Sequence, residues 1–434
     1  LAGCAGPEAP PPALSPAEEA LTALLAAEPP RVAGEPLDAA LLRRFYARRG
    51  FRPVWAERPG QAAALAAAVL RAGDHGMDPE LFHAGLLRRA ASFPPAHRDL
   101  LISHAVLSYA QALAKGAVPP GRRDERLALS PEPVDVAAVL DAALEGADPV
   151  AAIEALAPRT PAYAALREAL RSLPARERDA RAAAASRRLI AVNLERLRWL
   201  PRQLPPERVW VDITEQYLVL HRDDRPLFRT RVGVGAEGER KQSPELHTRI
   251  EGAFFNPPWI IPADIVAASI LPRIVQDPEF LTRNNILLHP NGEAEQAPGP
   301  LGALGAVMFD MPNRFDVYLH DTPDRSIFSR DNRRVSNGCI RVENPLQLTA
   351  LLMRRPLADI EKRVAEGRTV RDELPEPVPV FLVYHTVGVA PDGKLLPRPD
   401  FYGRDEPLWR ALHKHLPEDP PTPPTAARRG RQGR

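Results

Sequence analysis

Two side chains close together in the sequence are of types that can do nucleophilic chemistry. Cys339 lies in Ser336-Asn337-Gly338-Cys339-Ile340-Arg341-Val342, and His320 lies in Val317-Tyr318-Leu319-His320-Asp321-Thr322-Pro323. A cysteine attacks as its thiolate, whereas a free thiol is mostly protonated at neutral pH. A neighbouring imidazole can take that proton. Gly338 lets the backbone come close to a substrate carbonyl. Amides around Gly338 and Cys339 can then stabilise a tetrahedral oxyanion. Asp321, or a nearby backbone carbonyl, would fix the tautomer of the imidazole. Residue types alone do not force this pairing. The chain holds eleven histidines, and His289 and His385 compete within the same region. A lone cysteine is also a common small core residue.

The elements that must position these residues follow from periodicity. Residues 209–213, 217–220, 228–234 and 249–255 read as strands, as do 316–319 and 377–385, so a β-rich domain is expected over 205–410. His320 directly follows one of these strands, which makes it a rigidly held candidate. A long insertion at 257–305 separates the fourth strand from the fifth. It holds Trp259 and a helix expected over 262–275, and insertions beside a site are often lids. Upstream, Leu37, Leu41, Leu42 and Phe45 recur at helical spacing, and more helices follow at 61–72, 78–91, 96–114, 148–156 and 162–173. Residues 35–175 therefore read as an all-helical scaffold domain, with a linker and entry helix at 176–204. Together these make an α+β chain in which an all-helical domain precedes a β-rich, sandwich-like domain with a helical capping insertion.

Composition narrows the function classes. A net charge of +2 gives no electrostatic footprint for nucleic acid. No run of 18 apolar residues offers a membrane span. The only cysteines are Cys4 and Cys339, with no CxxC pair, which argues against a thiolate metal site. The 50 prolines gather in linkers and at both ends. Residues 1–34 read as a disordered leader and 411–434 as a largely disordered, arginine-bearing tail. Leu1-Ala2-Gly3-Cys4 resembles the end of a bacterial lipoprotein signal, which makes Cys4 a candidate for lipidation and anchoring at a membrane. One acyl chain would hold only marginally.

The two segments around His320 and Cys339 resemble the signature of the L,D-transpeptidase (YkuD-type) catalytic domain, and most closely its large periplasmic, YcbB-like branch with a helical scaffold. Asn193-Leu194-Glu195-Arg196 with Arg198-Trp199-Leu200-Pro201 resembles the entry helix of that branch. Phe255-Asn256-Pro257 with Trp259 resembles the strand leading into its cap. Pro298-Gly299-Pro300, Phe309 and Pro312-Asn313-Arg314 resemble the approach to its histidine. Residues 377–384 with Arg398-Pro399-Asp400 and Tyr402-Gly403 resemble its closing segment. The resemblance implies a periplasmic cysteine acyltransferase that needs no cofactor. Cys339 would be the nucleophile, His320 the base, and Gly338 and Asp321 would assist. Tyr318, Ser336, Asn337, Arg341, Asn256 and Trp259 are implied as walls of the substrate site. The implied partners are peptidoglycan stem peptides, with other cell-wall enzymes open. The implied reaction is 3→3 cross-linking. Hydrolysis by the same acyl-enzyme, protein-to-wall anchoring and a non-enzymatic wall-binding scaffold are its rivals. Asn337 stands where many relatives carry a histidine, and 174–188 is too short for the glycan-binding module that relatives often insert there.

Overall fold

The computed structural model describes residues 14–173, 180–238, 240–390 and 392–413. Cys4 and most of the expected C-terminal tail lie outside them. Among the described residues no helix is long and apolar enough to cross a membrane.

The N-terminal region is built on one helix. Helix α1 (Pro16–Ala26) packs on α2 (Pro95–Lys115), most of whose side chains are buried, Leu100, Leu101, Ala105 and Leu107 completely. Proline opens α2, where a missing N–H costs nothing. Gly116 ends it at φ +91°, and a Cβ there would come within 2.6 Å of Glu195 and Trp199. Those two residues belong to the next long helix, α3 (Ala180–Arg198), and the residue after it, so only glycine lets α3 dock so closely. The docking is polar and fully buried. Arg198 pairs with Glu195 at 2.7 Å and donates to His75 O and to the Tyr163 hydroxyl. Glu195 accepts from the backbone N–H groups of Ala117 and Val118.

Three expectations are corrected here. The leader does not run to residue 34. Ser15 and Glu18 form a reciprocal cap on α1, and Leu21 and Leu25 are buried in the scaffold core. The region is not all-helical either. Arg31–Val32 pairs with Glu35–Pro36 as a small hairpin, and β1 (Leu127–Ala128) joins the large C-terminal sheet. At the other end, Leu412 is fully buried, so packed structure continues past residue 410.

The large sheet uses β1, β2 (Arg208–Asp212), β3 (Tyr217–Arg222), β4 (Arg225–Gly235) and β5 (Glu245–Phe255). The insertion then contributes β6 (Trp259–Ile261), β7 (Ile286–Leu288) and β8 (Ala294–Gln296). The large sheet resumes with β9 (Val307–Asp310), β10 (Leu319–His320), β11 (Arg334–Ser336), β12 (Ile340–Val342) and β13 (Val370–Val383). Its order is β9-β10-β12-β4-β3-β2-β13-β5-β1, with β11 on β4. Because β9 also pairs with β5, the sheet closes on itself, as a barrel rather than two stacked sheets. The pairing of β13 with β5 slips between Glu373 and Val378, where Pro375 and Pro377 cannot donate to the ladder. That irregularity bends β13 around the closure. One core fills the barrel, with Val209, Val211, Leu218, Val232, Ile250, Phe309, Leu319, Ile340 and Leu382 among its buried members. Phe381 and Val383, on alternate positions of the same strand, belong instead to the scaffold core.

The insertion folds around its own small core of Ile261, Val266, Ile270 and Ala294, and it is mixed rather than helical. Strands β6, β8 and β7 form a separate antiparallel sheet. The helix expected over 262–275 is broken, because Val266–Ile270 is a π-turn before Leu271–Gln276 resumes as α-helix. Pro272 has no N–H to offer the turn below, and the helix widens there.

Candidate active site

Strand register brings the candidate residues together. β10 and β12 are parallel, with Leu319 opposite Ile340 and His320 opposite Arg341, and Ile340 N–H donates to Tyr318 O at 3.0 Å. Leu319 and Ile340 are fully buried in the barrel core. Side chains alternate along a strand, so Tyr318, His320 and Arg341 project from the opposite face. Cys339, immediately before β12, sits on that face diagonally from His320.

His320 is buried, and its Nδ1–H donates to the carbonyl oxygen of Asp321 at 2.5 Å. A carbonyl can only accept, so the proton sits on Nδ1 and Nε2 carries the lone pair. Burial, helped by the positive charge of Arg341, pushes the His320 pKa down to about 3, against the opposing pull of the Asp321 carbonyl. Burial pushes the Cys339 thiol up to about 11, although Tyr318 and Arg341 favour the thiolate. At neutral pH the pair therefore rests as a neutral imidazole and a neutral thiol. Cys339 is half-buried; its sulfur lies 4.0 Å from Asp316 O and also interacts with Tyr318.

Tyr318 links the members of this cluster. Its ring stands edge-on to His320 at 5.8 Å. Its hydroxyl interacts with Cys339 and with the Trp259 indole, and burial together with Cys339 raises its pKa. Trp259 is the first residue of β6, so the insertion meets the site through it. Arg341 is half-buried. Its Nε has no hydrogen-bond partner among the described residues, and Asp324 and Cys339 act on its charge.

The turn before Cys339 is held internally. Ser336 Oγ accepts from Gly338 N–H at 3.1 Å and donates to Cys339 O at 2.6 Å. Gly338 has φ +121°, and a Cβ there would meet nothing closer than 3.6 Å. The backbone conformation, not space, requires glycine. The Gly338 amide is thus already used, whereas Cys339 N–H makes no hydrogen bond among the described residues.

Several expected roles change. Asp321 orients His320 through its carbonyl, while its carboxylate accepts from Ala306 N–H and pairs with Arg325, each at 2.9 Å. Gly338 shapes the turn instead of donating to an oxyanion. Ser336 is committed to that turn and is not a free wall residue. Asn256 gives its side-chain amide to Val364 O and Arg368 O at 3.0 and 3.3 Å, bracing helix α4 (Leu357–Ala365) and the loop after it. Asn337 is exposed beside Cys339. Of the competing histidines, His289 lies in the insertion 3.6 Å from Glu295. His385, after β13, lies against Trp210 with its ring tilted 38° at 5.9 Å, and burial drives its pKa down to about 3. Neither lies on the β10–β12 pair. Reading the sequence missed Ser243, which is fully buried and touches the Gly338 carbonyl. A serine before a proline in a loop carries no spacing that would mark it.

Comparisons with known proteins place this region within a known domain family. Residues 206–371 match the L,D-transpeptidase catalytic domain family, and residues 40–170 match the scaffold domain family. A curated Haemophilus influenzae protein named "Putative L,D-transpeptidase" is 30% identical over 256 residues, covering 52% of this chain and 51% of that protein. The chain thus spans about half the length of the curated relative it matches. Solved structures with some likeness include the avibactam carbamoyl enzyme of Ldtfm, at 12% identity and a TM-score of 0.23 over 42% of this chain and 49% of that one. Another is an L,D-transpeptidase from Mycobacterium smegmatis, at 12% identity and a TM-score of 0.22 over 41% and 58%. The chain thus combines a scaffold domain with a following YkuD-type L,D-transpeptidase catalytic domain, the YcbB-like architecture.

Proposed function

We propose that the chain is a cell-envelope transpeptidase that forms 3→3 peptidoglycan cross-links through a thioester on Cys339. The donor is a tetrapeptide stem. As Cys339 sulfur bonds to the carbonyl carbon of the L-centre of the third residue, its proton passes to Nε2 of His320. The tetrahedral intermediate collapses with loss of D-Ala, whose amine takes the proton back from His320. The side-chain amine of a second stem then attacks the thioester and regenerates the thiol. Because imidazole and thiol both rest neutral, the proton moves as the S–C bond forms rather than beforehand. Arg341 and Asn337 line the approach to the sulfur, and Trp259 brings the insertion over it, which favours aminolysis over hydrolysis by limiting water.

The observation that carries this reading is the shared face of Tyr318, His320, Cys339 and Arg341 inside the region matching the catalytic domain. Incubation with disaccharide tetrapeptide tests it by mass spectrometry. Cross-linked dimer with released D-Ala is expected, and neither should form with Cys339→Ala. Tripeptide alone would assign hydrolysis instead, and no D-Ala release from the wild-type protein would overturn the reading.

A further inference from the structure

Hydrogen bonds from the β4–β5 loop and Tyr402 grip the turn that carries Cys339, and their directions can be assigned completely. Ser243, fully buried in the loop between β4 and β5, accepts from Gly235 N–H at 2.9 Å. Its own hydrogen is therefore free to go to Gly338 O, 2.7 Å away. Tyr402 donates to Gly235 O at 2.6 Å and accepts from Ser243 N–H at 3.2 Å, while Arg404 donates to Ser243 O at 2.8 Å. Gly235 tolerates no side chain here, since a Cβ would fall 2.0 Å from Lys241 O and 2.5 Å from Ser243 N.

The consequence lies in the Gly338–Cys339 peptide. A trans peptide is planar, with its C=O and N–H pointing in opposite directions. Fixing the Gly338 carbonyl against Ser243 therefore fixes the direction of Cys339 N–H. The flanking groups are fixed as well, because Ser336 Oγ holds both Gly338 N–H and Cys339 O. Of these groups only Cys339 N–H makes no hydrogen bond among the described residues, and it lies on the atom chain next to the sulfur.

We propose that Ser243 is a positioning residue for the oxyanion. By holding the Gly338 carbonyl, it aims Cys339 N–H at the acyl oxygen that becomes negatively charged when Cys339 attacks. This rests on the reading of Cys339 as an acylated nucleophile, but not on which peptide it accepts.

The test compares two reactions of the same sulfur. In acylation by p-nitrophenyl acetate, the S–C bond forms through a tetrahedral oxyanion, aryloxide leaves and the thiol proton goes to His320. In alkylation by iodoacetamide, the thiol proton is lost to solvent, the S–C bond forms as iodide leaves, and no oxyanion arises. Ser243→Ala is expected to slow acylation about 10- to 100-fold, somewhat less than deleting an oxyanion donor outright. Alkylation should stay within about twofold, and Ser243→Thr, which keeps the hydroxyl, should restore acylation. Tyr402→Phe, which loosens Ser243 from further away, should show the same pattern with a loss of about tenfold, and it serves if Ser243→Ala fails to fold. Unchanged acylation, or acylation and alkylation falling in parallel, would overturn the proposal. A wild-type sulfur inert to both reagents would sink the nucleophile reading and this proposal together. Reaction with the ester but no D-Ala release from tetrapeptide would sink only the substrate assignment.

Discussion

Cys339 stands diagonally from His320 across the parallel β10–β12 pair, two residues before Arg341, which lies directly opposite His320. This register, with the turn that Ser336 and Ser243 hold before β12, puts imidazole, thiol and guanidinium on one face. It predicts that Cys339→Ala abolishes D-Ala release and that His320→Ala lowers kcat/KM by about 10²–10⁴, the usual worth of a positioned base. Steady-state release of D-Ala from tetrapeptide measures both. A His320→Ala enzyme within a few-fold of wild type would remove His320 from the proton path.

The resting protonation states give a pH signature. His320 titrates far below neutrality and Cys339 near 11, so neither should titrate between pH 5 and 9. The rate of Cys339 alkylation by iodoacetamide should climb about tenfold per pH unit across that range, because the thiolate fraction does. A plateau near pH 6–7 would instead reveal a preformed thiolate–imidazolium pair.

Arg341 acts on both groups in the same direction, lowering the pKa of His320 and of Cys339. Arg341→Met should therefore raise both. The imidazole becomes a stronger base but moves its acid limb toward the ordinary histidine range. The thiol becomes harder to ionise, so alkylation at pH 8 should slow. Faster alkylation at pH 8 in the variant would show that the guanidinium does not favour the thiolate.

Residue types and the adjoining strand pattern marked Cys339 and His320 as candidates but left His289 and His385 in competition; the resemblance of both segments to a known signature singled out the pair. Their partners were less legible, for physical reasons. Asp321 looked like the carboxylate that steadies an imidazole, yet its backbone oxygen does so, and sequence does not say which oxygen of a residue faces its neighbour. Asn256 was read as a wall residue, but its side chain is claimed by carbonyls more than a hundred positions away. The closed sheet was hidden because β9–β5 pairing depends on long-range register, whereas alternation reveals only that strands exist. Helix α1 was concealed by proline-rich flanks, although the Ser15 and Glu18 cap was present in the sequence.

Asp321 offers a direct check of the orienting group. Asp321→Asn keeps the carbonyl that holds His320 and an oxygen able to accept from Ala306 N–H. It loses the ion pair with Arg325, whose side chain is 49% exposed, a contact worth about 0–1 kcal/mol. Activity should stay within a few-fold of wild type. A loss as large as that of His320→Ala would mean that the carboxylate, not the carbonyl, orients the imidazole.

Scaffold and catalytic regions should unfold together, because they share buried groups. Phe381 and Val383 of β13 and Leu408 and Leu412 beyond it belong to the scaffold core, and β1 pairs with β5 of the barrel. The joint is tied by Glu195 and Arg198, both completely buried. Glu195→Ala leaves Arg198 with only neutral partners and strips the acceptor from Ala117 and Val118 N–H. Removing one member of a buried pair typically costs about 3–5 kcal/mol. Urea unfolding followed by circular dichroism at the helix signal, which reports mainly the scaffold, and by loss of catalytic activity should show one coincident transition, moved to lower urea in the variant. Two separate transitions, with only the scaffold signal shifted, would show that the catalytic barrel stands without its scaffold.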